Sequence, residues 1–276
     1  MTPETMIPFI CPLCQAPFNK INSTQVCNNN HHFDIAKEGY LNLLPVQSKS
    51  SKNPGDNQEM MTARRAFLNT GGYLPLANKV AQISKQYVTD IKQAQILDLG
   101  CGEGYYTDLL KQQLPAHNIC GIDISKVAIR YAAKRYKNID FCVASAYQVP
   151  LKNNSIDLMV RIYAPSKAQE LLRLIKNKCY LITVTPAPRH LFQLREVIYE
   201  HVNEHAQENE AVEGFTKIEQ IGLSYELKID QAQQLKDLIN MTPFAWKFTA
   251  EKLTELLAQQ FWKIECDFNI EVFQKD

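Results

Sequence analysis

Residues 96–104 read Ile-Leu-Asp-Leu-Gly-Cys-Gly-Glu-Gly, and residues 119–124 read Ile-Cys-Gly-Ile-Asp-Ile. The first stretch is an apolar run that breaks into a glycine-rich turn, with Asp98 inside it and Gly100, Gly102 and Gly104 spaced by two. The second is another apolar run ending near Asp123, 25 residues after Asp98. A nucleotide-like ligand needs both parts. Glycines let the backbone approach it closely, and a carboxylate at the tip of the next strand accepts hydrogen bonds from the two ribose hydroxyls. Three alternate glycines can also be a bare turn. Here the turn stands between a strand-forming run and a helix-forming one at 105–114, with the second acidic residue at the expected distance.

From residue 76 onward, strand-like and helix-like segments alternate. The pattern predicts helix 76–90, strand 95–100, helix 105–114, strand 118–123, helix 126–136 and strand 139–144. It continues with strand 155–162, helix 167–176, strand 179–185 and a helix over about 189–205. Such alternation means a parallel sheet with helices on both faces. The tail differs: a strand at 223–229, two helices, then two strand-like runs at 261–266 and 268–274, which predict a closing antiparallel pair. Upstream, 45–55 is rich in Ser and Pro and reads as a linker. Asp56 with Glu59 reads as a capping box opening a helix to about Asn69, with Met60, Ala63, Phe67 and Leu68 as its apolar face.

Composition bounds the rest. The chain has 276 residues, 45% hydrophobic and 21% charged, with a formal net charge of +1. That charge gives no general pull toward nucleic acid, so an RNA-binding surface must be local. No apolar stretch is long enough to span a bilayer. The first fourteen residues do not read as a signal peptide, which points to the cytoplasm. Thiols stay reduced there, so eight cysteines argue for metal ligation where the spacing agrees. It agrees near the N-terminus. Cys11 and Cys14 are separated by two residues, Cys27 follows, and His31 and His32 come shortly after. Three thiolates and one imidazole make a closed, tetrahedral structural zinc site. About 35 residues cannot stabilise themselves by burial alone. Cys120, Cys142, Cys179 and Cys266 fall in strand-like runs and read as core.

The G-x-G-x-G turn after Asp98 resembles that of S-adenosylmethionine-dependent methyltransferases, whose cofactor has no pyrophosphate to cradle. A longer ordered set narrows the likeness: the zinc knuckle, FDIAKEGYLNLLP, PGD-x-x-EMM-x-ARRAFL, LDLGCGEGYYT, RIYAP, TP-x-PRHL and the final MTPFAW. With these, essentially the whole chain resembles the 23S ribosomal RNA (guanine-N1)-methyltransferases.

The resemblance implies a Rossmann-like class I methyltransferase fold, α/β, with a mostly parallel sheet and an antiparallel C-terminal strand, plus a small N-terminal zinc-binding module. It implies S-adenosyl-L-methionine as cofactor, one structural zinc on Cys11, Cys14, Cys27 and His31, a homodimer, and methyl transfer to one guanine in a hairpin loop of 23S rRNA. The cofactor contacts it carries over are Tyr73, the turn Gly100, Cys101, Gly102, Glu103 and Gly104, then Asp123 and the region of His190; Asp98, within the first strand, and Ser145, after the third, join them from the motif and the strand order. At Ser145 many methyltransferases have an aspartate that accepts from the adenine amino group. A general base is expected for the guanine N1 proton. The sequence does not identify it, and His190 is a candidate that could equally hold the cofactor. The expected organisation is 1–42 as a zinc-binding RNA-recognition module, 43–75 as linker and connecting helix, and 76–276 as the methyltransferase domain. Two alternatives stay open: a small-molecule methyltransferase, and a zinc-dependent binding module with a vestigial cofactor site.

Overall fold

A computed structural model describes residues 9–45, 58–199 and 211–276. Its N-terminal part holds β1 (Phe18–Ile21), β2 (Thr24–Cys27) and β3 (His32–Asp34), an antiparallel three-stranded sheet. Two residues join β1 to β2, and Asn22 takes the positive φ of 54° that such a tight hairpin turn requires. After these strands come β4 (Leu41–Asn42), α1 (Gln58–Asn69), α2 (Leu74–Val88), β5 (Gln95–Leu99), α3 (Tyr105–Gln113), β6 (Asn118–Asp123), α4 (Lys126–Arg135) and β7 (Asp140–Val143). The chain continues through β8 (Ile156–Ile162), α5 (Ala168–Leu174), β9 (Ile175–Pro186), α6 (Phe192–Ile198), β10 (Phe215–Ile229), α7 (Ala232–Asn240), α8 (Ala250–Leu257) and β11 (Trp262–Lys275).

The large sheet has the order β10-β11-β9-β8-β5-β6-β7-β4. Strands β4 to β9 in it pair in parallel, and β11 runs antiparallel to both β9 and β10. The central strands are apolar on both faces because helices cover both, and all seven residues of β8 are buried. Alternate residues split between two cores. Ile96, Val160 and Val184 pack with α2, α3 and α7, whereas Leu97, Met159 and Leu181 pack with α5. From β5 the chain moves to β6 and β7 on one side, then returns to β8 on the other. The switch in strand order therefore lies between β5 and β8.

Four expectations change. The runs at 261–266 and 268–274 are one continuous strand, β11, because Asp267 stays in register opposite Ser224 instead of turning the chain. The antiparallel closure is made with β10, which starts at Phe215, well before residue 223. The described part of the helix expected over 189–205 is α6, seven residues long. On α1 the buried methionine is Met61, and Met60 is turned toward a cavity. The proposed N-cap Asp56 lies outside the described residues. No helix among the described residues is long and apolar enough to cross a membrane.

The N-terminal segment is tied to the sheet. Leu41 and Asn42 pair with Cys142 and Val143, covering the edge of β7, and Phe9 bridges to Leu151. Phe9, Leu41 and Leu43 are buried in the same core as Leu97 and Leu99.

Candidate cofactor pocket and zinc centre

A cavity of about 670 Å³ opens at the carboxyl ends of β5, β6, β7 and β8, where ligands bind in open parallel sheets. Its volume lies within the usual range for small-molecule sites. Tyr73, Asp98, Gly100, Cys101, Gly102, Glu103, Asp123, Ser145 and His190 all line it. Gly104 lies behind them at the head of α3 and is not among the lining residues.

The turn is specific to glycine. Gly100 has φ 80°, and a Cβ there would lie 2.3 Å from the Cβ of Ala164. The backbone thus passes between the cavity and the chain leaving β8 with no room for a side chain. Asp123 is held by the turn it faces. The Gly102 N–H donates to its Oδ2 (2.9 Å), and the Ser125 N–H donates to its Oδ1 (2.8 Å). These bonds fix the carboxylate in the cavity wall at the tip of β6, where the two hydroxyls of a vicinal diol would meet it.

Asp98 is buried, and the Thr107 hydroxyl donates to its Oδ2 (2.6 Å). Burial pushes its carboxyl up to about 7; the Thr107 bond opposes this and the neighbouring Asp123 charge adds to it. Glu103 is likewise raised by burial. Its Oε1 is buried without a hydrogen-bond partner, while Oε2 lies 3.8 Å from Arg65 Nε. An orphaned acceptor and two acidic groups facing one cavity fit a ligand that brings ammonium, hydroxyl and amino donors, and S-adenosylmethionine has all three. Cys101 is buried, with its thiol raised well above the ordinary value, so it is no nucleophile.

Tyr73 and His190 meet across 117 residues of sequence, with Tyr73 Oη 3.3 Å from His190 Nε2. The Asp267 N–H points at His190 Nδ1 (3.3 Å), which assigns the proton of the neutral ring to Nε2 and makes it the donor to Tyr73. The phenol is boxed edge-on by Phe67 and Phe268. Ser145 Oγ accepts from the Tyr147 N–H (3.2 Å) and so shapes the turn after β7.

Tyr163, Leu191 and residues 241–244 have no role that the sequence announces. Tyr163, in RIYAP, lines the cavity with φ 55°; Leu191, next to His190, has φ 53°. Left-handed backbone at bulky residues is uncommon and gathers at functional sites. Nothing in local propensity foretells it. Met241, Thr242, Pro243 and Phe244, from MTPFAW, line the cavity as well. Arg64, Arg65, Asn69 and Arg135 line it too.

At the other end of the chain, Cys11, Cys14, Cys27 and His31 bring one ligand atom each within 4.8 Å of all the others. Cys11 Sγ and Cys27 Sγ are each 3.4 Å from His31 Nδ1, and Cys14 Sγ is 3.6 Å from Cys27 Sγ. A tetrahedral zinc with three sulfurs and one nitrogen has ligand-to-ligand edges of about 3.5–3.8 Å, so the set fits that ion. His32 is exposed, its Nε2 2.9 Å from Asn30 Oδ1, and stands outside the cluster. All four zinc positions are filled by side chains, which makes the ion structural.

Comparison with known proteins agrees with both halves. Residues 9–52 match the zinc ribbon described as RlmA, N-terminal, and residues 90–259 match a methyltransferase domain. YxjB of Bacillus subtilis (strain 168), assigned as a 23S rRNA (guanine-N(1)-)-methyltransferase, is 30% identical over 278 residues, 97% of each chain. The 23S rRNA (guanine(748)-N(1))-methyltransferase of Streptomyces fradiae is 27% identical over 254 residues, 90% of this chain and 89% of that one. Matched along nearly its whole length, through zinc ribbon and catalytic half alike, the chain belongs to the zinc-containing, S-adenosylmethionine-dependent 23S rRNA (guanine-N1)-methyltransferase family.

Proposed function

We propose that the protein moves a methyl group from S-adenosylmethionine to N1 of one guanine in a hairpin loop of 23S rRNA, in the cytoplasm and as a homodimer. The observation that carries this reading is the shape of the cavity. The glycine turn with Asp123 and the partly exposed rings of Tyr147 and Tyr163 line one cavity. A target base must leave its stack to be modified, and aromatic faces in a pocket wall receive such a base.

Bound S-adenosylmethionine supplies a methyl group already activated by its sulfonium. The chain's task is alignment and exclusion of water. Asp123 takes the ribose hydroxyls, the turn from Gly100 to Gly104 lets the backbone come close, and Ser145 reaches the adenine side. Asp98 and Glu103 favour the cationic parts of the ligand. His190 serves here as a positioning residue. Its Nδ1 accepts from Asp267 and its Nε2–H holds Tyr73, so neither nitrogen is set to take the guanine N1 proton. That proton must leave at or near transfer.

Deproteinised 23S rRNA incubated with methyl-labelled cofactor should acquire label at N1 of a single guanine. Label in a small-molecule fraction, with none in rRNA, would favour the small-molecule alternative and overturn this reading.

A further inference from the structure

Across the whole chain, basic and acidic residues nearly cancel, 30 against 29. Residues 124–139 do not follow that balance. They read ISKVAIRYAAKRYKNI, with Lys126, Arg130, Lys134, Arg135 and Lys137 and no acidic residue. All five are exposed, while Ala128, Ile129, Ala132 and Ala133 bury the opposite face of α4. Lys126, Arg130 and Lys134 recur every four residues, so they form one stripe along the helix. Like charges at that spacing oppose helix formation, and none of the three has an acidic partner among the described residues. An ordinary solvated helix face mixes signs. This one does not.

Its position matters as much as its charge. The helix begins three residues after Asp123. Near its end, Arg135 and Tyr136 line the cavity. Beside the stripe, Tyr131 carries both Arg65 (4.3 Å) and Arg130 (5.7 Å) against its ring. Just past that same end, Lys137 Nζ donates to the Glu38 carbonyl of the N-terminal segment. The carboxyl end of α4 therefore meets both the cavity and the N-terminal segment, and the stripe runs back from it along the exposed face of the helix. That segment brings little positive charge of its own. In residues 9–45, Lys20 and Lys37 are offset by Asp34 and Glu38, and three thiolates around a divalent ion carry one negative charge.

We propose that the exposed face of α4 is the phosphate-docking surface for the RNA strand that delivers its base to the cavity. The occupant is a polyanion: the stripe offers charge for phosphates, and Tyr131 holds Arg65 and Arg130 beside it as further cationic groups. Phosphate contacts set register and orientation and leave sequence reading to other surfaces. The proposal rests on rRNA being the substrate.

The test uses the full-length, zinc-loaded protein with deproteinised 23S rRNA. Lys126→Gln, Arg130→Gln and Lys134→Gln together should raise KM for rRNA roughly tenfold at 0.15 M salt. They should make the dependence of log affinity on log salt shallower by about two to three, near one for each phosphate no longer held. The kcat and the affinity for S-adenosylmethionine should stay unchanged. Lys126→Arg with Lys134→Arg should behave as the parent, and so should Lys85→Gln, Lys92→Gln and Lys236→Gln, exposed lysines away from the cavity. If the triple variant fails to fold, Lys126→Gln and Lys134→Gln singly are read by the same slope, each shallower by about one. An unchanged slope and KM in variants with full cofactor affinity would overturn the proposal. Parent protein that neither binds nor methylates rRNA would instead sink the substrate reading.

Discussion

Asp98 is the residue whose environment is most at odds with its chemistry. Its carboxyl is buried, ties one oxygen to Thr107 and titrates at about 7 instead of 3.8. The native state therefore binds a proton that the unfolded chain has already released between about pH 4 and pH 7, and stability falls as pH rises through that window. Above it the cost is constant. Asp98→Asn removes the charge and keeps an acceptor for Thr107. Without ligand, the variant should match the parent near pH 4 and exceed it at pH 8 by roughly 2–4 kcal/mol, since each pH unit between the folded and unfolded titration points is worth about 1.4 kcal/mol. Urea unfolding at pH 4, 6 and 8 measures this, and a gap that does not grow with pH would refute it. A carboxylate that costs stability when empty gains most when a cation enters the cavity. The same variant should bind S-adenosylmethionine more weakly, with a deficit that widens toward pH 8.

Among the elements, the zinc ribbon most needs outside help. Its three strands have four, four and three residues, and nearly all of their side chains are exposed or half-buried. Zinc binding contributes roughly 10–16 kcal/mol in small zinc peptides, far above what such a sheet gains from burial. Metal analysis should find one zinc per chain, lost in Cys11→Ser and in Cys27→Ser. His31→Ala should lose it as well, and His32→Ala should keep it; zinc retained without His31 but lost without His32 would reverse the assignment. The ligand spacing was readable from the sequence, because a two-residue gap between cysteines is short enough to be a local property. The choice of His31 over its neighbour came from the family resemblance and not from ligand spacing. In the structure it depends on Asn30, whose φ of 60° turns the chain so that His31 faces the thiols and His32 faces solvent.

At the scale of the whole molecule, the zinc segment and the sheet are less separable than boundaries at residues 42 and 75 imply. Phe9 and Leu41 are buried among strands of the large sheet, and β4 covers the edge of β7. Deleting residues 1–42 should therefore destabilise the remainder by about 3–6 kcal/mol, at roughly 1.5–3 kcal/mol for each large apolar side chain withdrawn, besides exposing a strand edge. Urea midpoints for the full and shortened chains check this, and equal midpoints would show that the two parts fold independently. Stripping zinc with a chelator is the gentler separation. It removes the ion and leaves Phe9 and β4 in the chain.

What the sequence determined by itself was local or periodic: the alternation that makes a parallel sheet, the glycine turn with its acidic partner one strand later, and the cysteine knuckle. These follow from backbone sterics, strand and helix periods and ligand chemistry, all of which act over a few residues. Tertiary structure alone decided the contacts between distant segments. It set His190 against Tyr73, gave each imidazole nitrogen its partner, and brought Tyr163 and Phe244 to one cavity. It also merged two runs of the tail into β11, since pairing with β9 and β10 outweighed the polar break at Asp267. Such outcomes depend on which strands become neighbours, and strand order is settled by packing of the complete chain.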